Sequence, residues 1–433
     1  MVAALFALVL LTDVHGILRL PPGETHLTHP LEIRKGSKDA AIIGDGRGSI
    51  LVMDPSFQGS AAITVDGASG VKLLGFSIRG NRTTLKSPWY LPLKEAAFAD
   101  FYPDNGIVIR NSRGIEVRSV HFSRIKTFPL IVNASSEVVV DSVRIEDSGT
   151  LNTAGRNNTS GGILFEEGVS RFEIRRSSFA RIAGNAIWTH SYSRSPRSAD
   201  GVIRGNTITT VGRDAIQVGH ATRVRVENNS GSQLGYPVSY VDVESHGVAV
   251  ALDTAGNVDH SLYLGNRFTG VNGQCIDLDG FHDGEVRGNS CINAMAIEAY
   301  PALHYGIVFG NNNPEMEPSG IVIANNTLRG FAYGAVFLVG HNNRVEGNRF
   351  TGINLAHCGA MPVSARCNYA LDQPDLLRSG IYLSDNGGRP AVTRDNVIRS
   401  NVIQGYGIKS HCIGMAAGVK AAQNVIANNT CSD

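Results

Sequence analysis

Leu264-Gly265-Asn266-Arg267-Phe268 is answered, 23 residues on, by Arg287-Gly288-Asn289-Ser290-Cys291. The same step recurs at Arg204-Gly205-Asn206-Thr207-Ile208, at 324–328 and at Glu346-Gly347-Asn348-Arg349-Phe350. Asn206 and Asn229 are 23 residues apart and Asn326 and Asn348 are 22 apart, while 229–266, 289–326 and 348–401 are longer by whole insertions. Between these steps runs a second element: Gly106-Ile107-Val108-Ile109, Gly162-Ile163-Leu164-Phe165, Ala215-Ile216-Gln217-Val218, Gly247-Val248-Ala249-Val250, Cys275-Ile276-Asp277-Leu278 and Gly306-Ile307-Val308-Phe309. Three short strands in about 22 residues make one coil of a parallel β-solenoid. Asparagine suits the corners because it tolerates left-handed backbone and can hydrogen-bond its stacked copies. No apolar 3.6-residue period is sustained over ten residues, so a helical reading fails.

The rest of the chain fits that reading. At 433 residues, length alone suggests two or three domains, but a solenoid absorbs it in one, taken here as 17–433. Charged residues are only 18% and glycines number 49, as stacked short strands with tight turns require. The net charge of +1, with no Lys/Arg run and no aromatic-basic patch, speaks against nucleic acid. Val2 to Leu11 is an apolar run too short to span a bilayer. It is read as the core of a secretion signal over 1–16, which makes the protein secreted or periplasmic; the competing reading is a first strand or cap. The stretch 83–104 breaks the repeat with Trp89, Tyr90, Phe98, Phe101 and Tyr102 and a short helix expected around 93–101. It is either a lid beside a groove or a flap over the core.

These coil steps, with the start Leu20-Pro21-Pro22-Gly23, resemble the right-handed parallel β-helix proteins of the pectate-lyase-like superfamily, from about Ile17 to the end. The resemblance implies an all-β fold whose members include hydrolases, lyases, epimerases and phage adhesins. It also gives positions to the cysteines. Cys291 and Cys431 fall in the inward column of Ile208, Phe268, Leu328 and Phe350, so bridges Cys275–Cys291 and Cys412–Cys431 are expected between neighbouring coils, with Cys358–Cys367 as a loop clamp. Buried thiols at 291 and 431 are the plain alternative. An even set of six suits an oxidising compartment.

In a parallel stack, equivalent residues repeat about 4.8 Å apart, so outward positions read as ladders. One ladder runs Leu164, Trp188, Gln217, Ala249, Asp277, Val308, Phe337, Tyr382. The next runs Glu166, His190, Gly219, Ala251, Asp279, Gly310, Val339, Ser384, with Asn185, Asp214 and His246 just before their strands. Polar and ionisable groups therefore concentrate between Glu166 and Asp283, with insertions at 191–200, 231–245 and 292–305 able to wall a groove. Asp277 and Asp279 project to one side about 6.8 Å apart. Such spacing suits paired acid and base catalysis of glycosidic cleavage, and crowding raises the pKa of one partner. Asp253, Asp214 and His246 complete the catalytic candidates. Trp188, His190, Gln217, Glu166, His282 and Arg213 are the substrate-binding ones, Trp188 through its apolar face. Competing with these readings, Asp253, Asp279 and Asp283 precede turn residues, His282 is a solvated loop residue, and Trp188 is ordinary packing.

Asp214-Ala215-Ile216 and His246-Gly247-Val248 are similar to the Asp-Asp and Gly-His-Gly strands of polygalacturonase-type glycoside hydrolases. The chain departs from them with Arg213, Ser245 and Asn185 where that family has Asp, Gly and Asp, and it lacks a following Arg-x-Lys. Asp277, Asp279, His282 and Asp283 also resemble, at different spacing, the Asp-Pro-His-Asp motif of alginate C5-epimerases. The leading expectation is a glycoside hydrolase acting on a polysaccharide without a cofactor. Alternatives are a lyase or epimerase assisted by His or by calcium at Asp253, Asp277 and Asp279, and a non-catalytic carbohydrate-binding solenoid.

Overall fold

The computed structural model describes residues 10–11, 16–91, 96–242, 249–311, 313–368 and 373–433. They form two compact units, Met1–Arg213 with Tyr236–Glu244, and Asp214–Gly235 with Ser245–Asp433. Of the stretch read as a secretion signal, Leu10–Leu11 and Gly16 are described; Leu10–Leu11 pairs with Glu32 and Ile33 as a short parallel strand.

In the first unit, successive coils stack in register along Ile63, Ile107, Leu130, Ile163 and Ile187. A second column runs Ile78, Phe122, Ile145, Phe179 and Ile208. Every member is buried, so each coil closes the apolar face of the one before it. The insertion carries the short helix Phe98–Phe101. Phe98, Ala99 and Tyr102 are buried against Ala61, Val108, Phe128, Ile131 and Leu164, with Trp89 and Trp188 packed beside them. Outward-facing Val108, Ile131 and Leu164 are apolar because the insertion covers them.

In the second unit the first column is Ile216, Leu252, Ile276, Ile307, Val336 and Ile381. The second is Phe268, Cys291, Leu328, Phe350, Ile403 and Cys431. The corner asparagines form a continuous ladder, buried from Asn229 to Asn401: Asn229, Asn266, Asn289, Asn326, Asn348, Asn401 and Asn429 are joined by Nδ2–H to Oδ1 bonds of 2.9–3.1 Å. In Asn289, the other Nδ2 proton goes to the Tyr263 carbonyl at 2.8 Å, and Oδ1 also accepts the Asn266 backbone N–H at 3.0 Å. The ladder thus satisfies its own buried amides.

The expected cysteine pairs are joined, Cys275–Cys291, Cys358–Cys367 and Cys412–Cys431. One detail differs: Cys275 neighbours Ile276 of the first column and Cys291 lies in the second column of the same coil, so this bridge crosses a coil rather than linking neighbours. Cys412–Cys431, at a separation of 19 residues, does likewise.

A larger correction concerns register. The reading of Gly247-Val248-Ala249-Val250 as a coil step puts Ala249 beside Asp277. The structure instead aligns Gln217 with Asp253 and Leu252 with Ile276. Leu252, buried, takes the inward place, so the true step is Ala251-Leu252-Asp253-Thr254. A slip of four residues hides easily in a run of small and apolar residues.

Candidate active site

The corrected register rebuilds the outward ladders of the second unit. One runs Gln217, Asp253, Asp277, Val308, Phe337, Tyr382. Its neighbour runs Gly219, Ala255, Asp279, Gly310. Asp253 therefore stands directly beside Asp277, one strand spacing of about 4.8 Å away, rather than near a strand end. Asp279 is flanked on both sides by residues too small to cover it, and a Cβ added at Gly310 would lie 3.6 Å from its Oδ1. A slot is thus left over the Asp279 carboxylate.

The carboxylates differ in their partners. Asp253 is 8% exposed and accepts a hydrogen bond from the Gln217 amide. Asp214 is 3% exposed, at the entry to the Gln217 strand. Asp277 is half-buried. Its carboxyl is held well above the usual carboxylate range, first by burial, then by the negative charges of Asp279 and Asp214; only the backbone N–H of Leu278 opposes this. Asp279 is raised by burial too, an effect that the nearby side-chain amide of Asn311 opposes without cancelling. On the inner side, buried Tyr263 shares a 2.7 Å hydrogen bond with Thr254, and Asp253 and Asp277 push its hydroxyl pKa upward after burial. The site is a row of crowded carboxylates in which Asp277 and Asp279 are both pushed toward the protonated form, Asp277 the more strongly.

Other candidate residues are placed elsewhere. Glu166 is not open to a ligand: it is fully buried in the first unit and accepts the backbone N–H groups of Phe98 and Ala99, both at 2.8 Å, and Asn133 Nδ2 at 3.1 Å. Burial pushes its carboxyl up to about 7 against those donors. The physical reason is the insertion, whose uncapped helix start needs an acceptor. Trp188 and His190 pack on Phe98 with ring centroids at 5.3 and 5.4 Å, so the Trp188 face is partly occupied by protein. Arg213 donates to buried Asp242 at 3.0 Å. His282 lies in register with Asp259, beyond the positive-φ residue Gly280. Its ring joins the Asp283 carboxylate at 3.0 Å and Asn257 Oδ1 at 3.1 Å, and Asn257 donates to the Glu315 carbonyl at 3.1 Å, which ties down the loop after Gly310. His246 lies outside the described residues. Among the described residues, no group of three or more His, Cys, Asp or Glu side chains is arranged to hold a metal ion. Nor is any described helix long and apolar enough to cross a membrane.

Asn311 was missed from sequence. The signal was there: it directly follows Gly310 of the Asp279 ladder, one residue past the strand end.

This coil architecture matches, over residues 61–251 and 249–433, the family described as right handed beta helix region, and the chain belongs to that family. No curated protein matches the sequence. Among solved structures, the catalytic unit of a GH87 alpha-1,3-glucanase from Streptomyces thermodiastaticus is similar at 15% identity and a TM-score of 0.54, over 97% of this chain and 62% of the glucanase. This chain thus spans less than two thirds of that glucanase. A DFA-IIIase from Arthrobacter chlorophenolicus is similar at 16% identity and a TM-score of 0.53, over 95% of this chain and 87% of that one. PfbA, a surface adhesin of Streptococcus pneumoniae, is similar at 13% identity and 0.54, over 88% and 82%. At these identities the likeness is one of fold.

Proposed function

We propose that the protein is a carbohydrate-active enzyme that hydrolyses glycosidic bonds of a neutral glycan, with Asp277 as general acid and Asp279 as general base. The observation that carries this reading is the register: Asp277 and Asp279 share one face of the same strand, and Asp279 is flanked by Ala255 and Gly310, which leave its carboxylate uncovered. In the step proposed, Asp277 gives its proton to the bridging oxygen as the bond from that oxygen to the anomeric carbon breaks. Water attacks the same carbon from the other side and loses a proton to Asp279. A strand spacing of about 6.8 Å between the two leaves room for that water, so inversion of the anomeric configuration is expected.

A neutral rather than uronate substrate is favoured by charge. The flanking ladder positions Gln217, Gly219, Ala255, Val308 and Gly310 carry no cation to offset a substrate carboxylate. An α-glucanase and a DFA-IIIase among the proteins of similar fold support the reaction class. The three disulfides support an oxidising, extracytosolic location.

Reducing-end release from a panel of α-glucans, fructans and acidic polysaccharides tests the proposal. Asp277→Asn and Asp279→Asn should each lower kcat by about 10²–10⁴-fold. Wild-type rates in both variants, or products absorbing as unsaturated uronates, would overturn it.

A further inference from the structure

We propose that Phe337 is the platform of a sugar subsite: a glycan cleaved at Asp277 and Asp279 runs along the stack of coils, and the second ring counted from the scissile bond lays its apolar face on Phe337. The inference rests on the hydrolytic reading above and adds to it the direction of the glycan and the residue that grips it.

Phe337 stands on the ladder of Asp277. Asp277 is in register with Val308 and Val308 with Phe337, so the aromatic residue lies two strand spacings, about 9.6 Å, from the acid along the stack. Asp277, Val308 and Phe337 are each half-buried, whereas the rungs on either side of them, Asp253 and Tyr382, are buried. The open stretch of the ladder is therefore a trough that begins at the acid and ends at an aromatic ring. Val308, short and apolar, is its floor, and Gly310 on the neighbouring ladder keeps one flank low. Phe337 is backed by other rings. Tyr382 stacks on it with ring centroids 6.2 Å apart and planes at 22°, and Tyr305 meets it edge to face at 6.2 Å. Tyr305 packs in turn on Tyr333 at 5.9 Å. Of these four rings Tyr305, Tyr333 and Tyr382 are buried, and Phe337 is the one left half-open. Held in this way before a ligand arrives, it loses little freedom on binding. A sugar ring carries C–H groups on one face and hydroxyls at its rim. An aromatic surface gains by covering the first and leaves the second to water. Val308 and Phe337 bear no charge, which suits a neutral glycan.

The test uses gluco- and fructo-oligosaccharides of two to six units with wild type, Phe337→Ala, Phe337→Leu and Phe337→Tyr. Initial rates at each length give kcat and KM. Calorimetry on Asp277→Asn protein, alone and combined with each Phe337 substitution, gives binding without turnover. For chains long enough to place two units on the Phe337 side of the bond, Phe337→Ala should raise KM and weaken binding about tenfold. Its kcat should stay within about twofold, because the platform holds ground state and transition state alike. For a disaccharide, with one unit on each side of the bond, KM and binding should match wild type. Phe337→Tyr should bind as wild type does. Phe337→Leu keeps apolar bulk against Tyr305 and Tyr382 but has no flat face, so it should melt near wild type and still bind the longer chains weakly. No loss in Phe337→Ala, or a loss of equal size at every chain length, overturns the platform and leaves Phe337 a packing residue. Full activity in Asp277→Asn and Asp279→Asn overturns the acid and base assignment, while a loss confined to the longer chains still supports the platform. Neither turnover nor binding of any of these probes by wild type overturns the hydrolytic reading and the subsite together.

Discussion

Glu166 should make the docking of the 96–102 segment pH-dependent. Docked, its carboxyl sits at about 7 against an ordinary 4.5. Lifting the segment returns Glu166 to water and to that ordinary value. Between these two values the docked form binds the extra proton, so docking is strongest below pH 4.5 and weakens as pH rises through about 7. The interval is about 2.5 pH units, or roughly 3 kcal/mol, and Glu166 is fully buried, so solvent screening does not reduce it much. The matching assay is amide hydrogen exchange at Phe98 and Ala99, whose N–H groups Glu166 accepts. After correction for intrinsic exchange, their protection should fall by about 10²-fold from pH 5 to 8. Glu166→Gln, an isostere of the protonated acid, should be flat over that range. Equal pH dependence in the variant and in wild type would refute the reasoning, because it would mean that another group carries the effect.

Asn289→Ala should destabilise the second unit by about 3 kcal/mol in urea unfolding, since it leaves the Asn266 N–H and Nδ2 buried without their acceptor. Replacing Cys275 and Cys291 together by Ala should cost about 3 kcal/mol, the chain-entropy value for a loop closed at a separation of 16 residues, measured in the same way. Gly310→Val should leave the melting temperature near wild type, because its backbone is extended and its Cβ meets Asp279 at ordinary contact distance. It should nevertheless lower kcat/KM by about 10²-fold by narrowing the slot over that carboxylate.

Much of this was readable from sequence, for a physical reason. A solenoid repeats its environment every coil, so the corner asparagines and inward Ile/Leu/Phe columns announce themselves, and so did the cysteine pairs. Asp277 stood out because the residues read from sequence as its ladder neighbours, Ala249 and Val308, are apolar. Two kinds of information were lost. Register slipped at Val248 and Leu252, which are both apolar and compete for the same inward place; the slip hid the adjacency of Asp253 and Asp277. Contacts made by insertions carry no period at all. Glu166 looked like an exposed ladder carboxylate, and only the arrival of Phe98 and Ala99 removes it from solvent. Asn311 carries no repeat signal either, lying where a strand gives way to a loop, and only its place next to Gly310 pointed to it.

The asparagine ladder has a consequence for how such a site can change. Successive rungs are bonded alike whether the chain between them is 22, 23, 37 or 53 residues long. Each rung resets the phase of the chain, as a detent resets a dial, whatever excursion preceded it. Loop length is thereby uncoupled from strand register. The excursions at 294–305 and 354–378 can be lengthened, shortened or exchanged while Asp277 and Asp279 keep their places. New specificities would then arise by editing loops on a scaffold that does not register the edit.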